Sequence, residues 1–374
     1  MLPYGRQSID ESDAEAVVAA LGSDWLTTGP RVAQFEADIE AAAGAPAVTV
    51  TNGTTALHTA YAAAGVGAGD EVVTTPMTFV ATASTAMMLG AKVIFADIED
   101  DTANIDPAAV ESLVTSKTKA IAAVDYAGHP ADYDALRKIS EGAGAVLIGD
   151  AAHSIGSSLN GRPVGSLADL TTFSFFPTKN LTTAEGGAVA SIRTDLLERA
   201  RTFHNVGMVK DPAKLRHPDE GGWFYEVQEL GLNYRLPDIL CALGSSQLKR
   251  LGAFKARRQE LTARYDALLA DVPGLRLPIQ RDGVDPLRHL YPVRVLDGRR
   301  REVYDRLREA GIGVQVNYIP VYWHPAFEEL GYRRGMCPVA EAFYAEELSL
   351  PLFVDLSDAD QDRVVEALRT ILGS

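Results

Sequence analysis

The chain is poor in cysteine, poor in positive charge and free of long apolar runs. Two cysteines, Cys241 and Cys337, stand far apart among 374 residues. They have no metal-ligand spacing and form no disulfide pattern, so buried thiols in a reducing compartment are expected, and with them a cytoplasmic location and no bound metal. Basic residues number 35 against 50 acidic ones, a formal net charge of −15. That balance excludes a nucleic-acid partner, whose phosphate backbone wants a basic face. It does not exclude a small anionic ligand, which answers to local groups. No run approaches the ~18 apolar residues of a membrane span, so no membrane role is expected. The opening "MLPYGRQSIDESD" carries charges and no apolar core, unlike a secretory leader. There are no internal repeats.

What is present is a core. Apolar residues make up 47% of the chain, and its length suits one large domain plus a smaller one. From about residue 45 to 250, short apolar runs alternate with helical patterns: "PAVTV" then "TALHTAYAAAG", "DEVVTTP" then "TFVATASTAMMLG", "AKVIFADI" then "DPAAVESLV", and on through "TKAIAAVDYAG" and "GAVLIGD". This predicts an α/β fold with a parallel sheet covered on both faces. Beyond residue 250 the pattern turns to α+β, with a long helix in "LGAFKARRQELTARYDALLADV" and a closing one in "DADQDRVVEALRTILG". The expected division is a large domain over 1–250, including two N-terminal helices, and a small one over 251–374. The segment from Arg281 to Asp285 is the best linker candidate.

Ligands of open α/β sheets sit at the carboxyl ends of strands, and three polar clusters fall there. "TNGTTAL" joins a strand to a helix. Gly53 permits close approach, backbone N–H groups at the helix start can hold a phosphate, and Thr54 and Thr55 add hydroxyls; alone, it is equally an ordinary capped turn. Asp150 ends the strand of "VLIGDAAHS". A carboxylate there needs a partner, either a cationic ring nitrogen or an arginine, and His153 follows three residues later. "LTTFSFFPTKNLTTAEGGAV" carries Ser174 within a strand and Lys179 just past it. Pro177 ends that strand and Gly186–Gly187 permit an unusual turn. Desolvation would lower the ammonium pKa of Lys179 and make it nucleophilic. A phosphate cup, a strand-end carboxylate and a later strand-end lysine together are what pyridoxal phosphate needs. Phe79, after another strand, could lie against its ring or simply pack in the core.

These stretches, with "YGRQSID", "SDWLTTGPRVAQFE", "ELGLNYRLPDI" and "LSLPLF" in order, make the chain resemble the DegT/DnrJ/EryC1/StrS family of fold-type I, pyridoxal-phosphate-dependent sugar aminotransferases. Within it, the chain is most similar to the PseC type that aminates C4 of UDP-linked 4-keto-6-deoxy sugars. The resemblance implies a mostly parallel mixed sheet and a homodimer with shared active sites. It also implies transfer from L-glutamate, released as 2-oxoglutarate, to a nucleotide-linked keto-sugar. It implies that Lys179 bonds the cofactor and then shuttles a proton, and that Asp150 pairs with the ring nitrogen. Phe79 would stack on the ring, and Gly53, Thr54, Thr55 and Ser174 would surround the phosphate. His153 joins the cofactor positions, and Asn233 would reach the cofactor phosphate of the neighbouring subunit. Arg6, Thr27, Tyr318 and His324 are implied at the substrate, with Arg201 and Arg235 further candidates for its pyrophosphate. The chain departs from the family pattern at Asn52, Phe176, Asp125 and His129, the last three bearing on the sugar and nucleotide. Lys179 argues against the branch that dehydrates with a histidine in its place. Aminodehydration on a ketocyclitol, or a non-catalytic binding role on the same fold, stay open as alternatives.

Overall fold

The structure, a computed structural model, describes residues 1–373. Seven strands form the main sheet, in spatial order Ala47–Val50, Gly187–Ser191, Leu170–Ser174, Val146–Asp150, Thr118–Val124, Glu71–Thr74 and Lys92–Phe95. From Leu170–Ser174 to Lys92–Phe95 every pairing is parallel. Gly187–Ser191 runs against both neighbours, so the sheet is mixed and mostly parallel, as the resemblance implied. Its register pairs Ser174 with Gly187, so the chain turns back on itself through the Lys179 loop rather than crossing over a helix. A Cβ at Gly187 would stand 2.5 Å from the Asn52 carbonyl oxygen, so only glycine lets this strand start there.

The continuous apolar character of the strands follows from burial on two sides. Ala120, Ala122 and Ile148 face one core cluster, and their chain neighbours Ile121, Ala123 and Leu147 face the other. Helices cover both faces. Gly53–Ala63 starts on a reciprocal cap: Asn52 Oδ1 accepts the Thr55 N–H at 2.9 Å and Thr55 Oγ1 accepts the Asn52 N–H at 3.0 Å. Pro107–Leu113 carries the Asp106 cap and first-turn proline that its sequence predicts.

The N-terminal helices Glu11–Leu21 and Pro30–Ala43 pack on the helix Asp238–Lys249. Asp238 is fully buried at the start of its own helix, where the dipole favours a carboxylate. It accepts the N–H groups of Gly29 at 2.8 Å and Arg31 at 3.0 Å.

Beyond the helix Leu251–Leu269 the chain builds a three-stranded antiparallel sheet from Leu275–Arg276, Tyr291–Val295 and Glu347–Leu350. A third core cluster, with buried members from Leu261 to Leu372, fills the space between this sheet and the helices Arg300–Glu309 and Asp358–Leu372. The expected linker at 281–285 is tied down. Arg281 forms ion pairs with Glu99 at 2.7 Å and Asp101 at 2.6 Å, and Val284–Asp285 pairs with Ser158–Leu159. Both cysteines are buried and free. Among the described residues no helix is long and apolar enough to cross a membrane.

Candidate active site

Three parallel strands place their last residues, Val124, Asp150 and Ser174, on a cavity of about 480 Å3 at one edge of the main sheet. Gly53, Thr54, Phe79, Asp150, His153, Ser174, Lys179 and Tyr318 all line it. They come from positions 53 to 318, and parallel topology is what brings them together.

One end of the cavity is a cup. The Gly53 and Thr54 N–H groups open a helix and have no acceptor among the described residues. Ser174 faces them so closely that a Cβ at Gly53 would lie 2.8 Å from Ser174 Cβ and 3.0 Å from its Oγ. Unpaired amides at a positive helix end, with a hydroxyl opposite, suit a phosphate. Thr55 does not join them. Its hydroxyl is spent on the helix cap and on Thr51 Oγ1 at 3.1 Å.

Asp150 is buried beside the cavity. Thr82 Oγ1 donates to its Oδ2 at 2.7 Å and the Ala152 N–H to its Oδ1 at 3.2 Å. Burial raises its pKa; Thr82, Ala152 and the Lys179 charge pull the other way. No cation forms an ion pair with it among the described residues. The carboxylate therefore keeps room for a protonated ring nitrogen, the group it was expected to meet.

Lys179 sits in the loop after Phe175, Phe176 and Pro177. Its N–H donates to the Phe176 carbonyl at 2.9 Å, and the next residue, Asn180, donates to the His153 and Leu287 carbonyls at 2.8 and 3.2 Å. The loop is thus pinned on both sides of the lysine. Its exposed area is intermediate because the side chain borders the cavity; elsewhere it is enclosed by protein. That enclosure lowers its pKa to about 8, partly offset by Asp150.

Also lining the cavity, His153 Nε2 and the Tyr318 hydroxyl are 2.9 Å apart, and the ring centroids of His153 and His289 are 4.4 Å apart. Burial and the nearby Lys179 charge hold His153 well below the usual histidine range. Burial, His153 and Lys179 do the same to His289. Nδ1 of each is buried without a hydrogen-bond partner. A phosphate cup, an unpaired carboxylate, a lysine of lowered pKa and unsatisfied ring nitrogens around one cavity fit pyridoxal phosphate.

The remaining sequence candidates lie outside the cavity. Asn233 is exposed, bridged to Asn205. Arg6 is 3.7 Å from Asp355 and over Phe353, and Thr27 is exposed. His324 precedes the short helix Pro325–Glu328. Arg201 and Arg235 border a separate open groove; Arg201 pairs with Glu36 at 3.0 Å and Arg235 donates to Asn205 Oδ1 at 2.8 Å. Of the departures, Phe176 lines the cavity, whereas Asp125 and His129 are buried in hydrogen-bond networks away from it. Thr82, Tyr4, Thr178, Glu185, His289 and Asn317 line the cavity without having been singled out. Thr82 was within reach of the sequence, one turn into the helix after Phe79. His289 and Asn317 carried no local signal.

A model of the DegT/DnrJ/EryC1/StrS aminotransferase family matches residues 7–369. The spore coat polysaccharide biosynthesis protein SpsC of Bacillus subtilis is 39% identical over 99% of this chain and 97% of its own. The UDP-4-amino-4,6-dideoxy-N-acetyl-beta-L-altrosamine transaminase of Campylobacter jejuni is 38% identical over 100% of this chain and 98% of its own. The PLP form of Spr1654, a sugar aminotransferase candidate of Streptococcus pneumoniae, superposes with a TM-score of 0.93 at 30% identity, covering 100% of this chain and 98% of that one. Its PMP form gives the same score. The chain belongs to the DegT/DnrJ/EryC1/StrS family of pyridoxal-phosphate-dependent sugar aminotransferases.

Proposed function

We propose that the protein moves an amino group from L-glutamate to C4 of a UDP- or dTDP-linked 4-keto-6-deoxy hexose. The observation that carries the reading is the convergence of Lys179, Asp150 and the Gly53–Ser174 cup on one cavity. The sugar class is supported by the UDP-linked 4-amino-4,6-dideoxy sugar named for the Campylobacter relative, which aligns over the whole chain.

Pyridoxal phosphate, when bound, supplies a carbonyl that takes up the amino group and a protonated ring that draws electrons from the carbon losing its proton. The chain does the rest. The Gly53 and Thr54 amides and the Ser174 hydroxyl hold the phosphate. Asp150, fixed by Thr82 and Ala152, keeps the ring nitrogen protonated. Lys179 would hold the cofactor at rest, and its amine, once freed by the donor, would take the proton from the donor Cα, a role its lowered pKa suits. Phe79, at the cavity wall, would lie against the ring.

Among the described residues lining the cavity, Lys179 is the one lysine or arginine. A substrate diphosphate needs more positive charge than that. This supports a homodimer in which the neighbouring subunit completes the site, Asn233 reaching the partner's cofactor phosphate. Thr27, Tyr318, His324 and the arginines Arg6, Arg201 and Arg235 remain the substrate candidates in that assembly. The division of the chain at residue 250 belongs to the same reading, supported by a third core whose buried members all follow residue 260.

The test is a panel of UDP- and dTDP-linked 4-keto-6-deoxy hexoses and ketocyclitols, each with L-glutamate, read by mass. An aminated sugar nucleotide is expected. Amination of a ketocyclitol alone would overturn the substrate assignment.

A further inference from the structure

Behind the cavity, outside its lining, lies a carboxyl that the reaction above does not use. Glu347 opens the strand Glu347–Leu350 and is fully buried. Among the described residues no lysine or arginine forms an ion pair with it; Arg300 acts on it only by its charge. Burying an unpaired carboxyl is costly unless hydrogen bonds compensate. Here they converge on one residue. Glu347 Oε2 accepts the Asn317 N–H at 2.6 Å, and Oε1 accepts the Ser349 hydroxyl at 2.6 Å. The Asn317 side-chain amide donates to Ser349 Oγ at 3.0 Å, and the Tyr126 hydroxyl donates to the Asn317 carbonyl. The N–H, carbonyl and side-chain amide of Asn317 are therefore all held, by a set that Glu347 organises.

The next residue is Tyr318, whose hydroxyl meets His153 at 2.9 Å inside the cavity. The segment 315–318 meets the sheet through a single bridge, from Gln315 to Ser349, while Val316 and Tyr318 pack at the edges of two core clusters, so the backbone of Asn317 is held chiefly by this set. We propose that Glu347 is a positioning residue: by clamping Asn317 it sets the Tyr318 hydroxyl against His153, and so one wall of the cavity. The proposal rests on the glutamate-dependent reaction proposed above.

The test uses holoenzyme and follows the change of the cofactor's visible absorbance on adding L-glutamate, together with the pH midpoint of that absorbance before glutamate is added. Glu347→Ala and Tyr318→Phe should each slow the glutamate step by about tenfold and shift the midpoint in the same direction. The double variant should be no slower than either single one, because both act through one contact. Glu347→Gln, which keeps an acceptor for the Asn317 N–H, should restore the wild-type rate and midpoint. A Glu347→Ala enzyme with wild-type rate and midpoint overturns the proposal, and so does a double variant slowed by the product of the two effects. If Glu347→Ala does not fold, Tyr126→Phe, which removes only the hydroxyl on the Asn317 carbonyl, takes its place with the same expectations. Wild-type holoenzyme that ignores glutamate would instead sink the donor assignment.

Discussion

In the proposed reaction Lys179 is the residue on which the chemistry turns, and its environment gives a pH signature. Enclosure lowers its pKa to about 8, so the amine needed to bond the cofactor is a minority below that value. Attachment of pyridoxal phosphate to the apoprotein should speed up by about tenfold per pH unit up to about pH 8 and level off above it. Stopped-flow absorbance checks this, and a flat profile between pH 6 and 8 would count against it. Asp150 offers a second check. Asp150→Ala should still bind cofactor but slow transfer by about a hundredfold, the scale of losing one preorganised charge in an enclosed site. Thr82→Val removes one donor from the same carboxylate and should cost less, leaving a rate between the two. Equal rates for Thr82→Val and wild type would show that the 2.7 Å bond does not hold Asp150 in its working state.

At the scale of elements, the helix Gly53–Ala63 matters for its first turn. Gly53→Ala would place a Cβ 2.8 Å from Ser174, and either the strand or the helix start must give way. Because the collision lies in the cup, cofactor affinity should fall by about tenfold or more, while the apoprotein melts within a few degrees of wild type. Equilibrium dialysis and thermal melting separate the two. Most elements were readable locally. Caps and periodicity marked Glu11–Leu21, Pro107–Leu113 and Asp358–Leu372. The strand Gly187–Ser191 was not readable as antiparallel, because its direction is set by the Lys179 loop and not by its own residues. The segment from Arg281 to Asp285 looked like a linker because its residues are polar and proline-flanked. Glu99 and Asp101, almost two hundred positions earlier, decide otherwise.

For the whole molecule, buried acids set a pH dependence of stability. Burial pushes Glu347 up to about 8 and Asp125 up to about 7, in each case against the hydrogen bonds they accept. Between the ordinary carboxylate range and these values the folded chain holds protons that the unfolded chain has lost, so stability falls as pH rises through that window. The melting temperature should decline from about pH 5 to 8, and Glu347→Gln should flatten the upper part of that decline. An unchanged slope would mean that Glu347 is ionised in the fold. Assembly has its own test. Mixing Lys179→Ala with Asn233→Ala subunits should recover about a quarter of wild-type activity, since half the dimers would carry one native site. No recovery from exchanging subunits would argue against Asn233 crossing the interface. The linear chain by itself determined the α/β alternation and placed the candidate phosphate cup, lysine and carboxylate at strand ends. These depend on short-range patterns, such as apolar periodicity, caps and residues at strand ends. Only the tertiary structure decided that His289 and Tyr318 stand at the same cavity, and that Glu347 braces Asn317. Each of these pairs residues that are distant in the chain, and what brings them together is the packing of a parallel sheet against a second core.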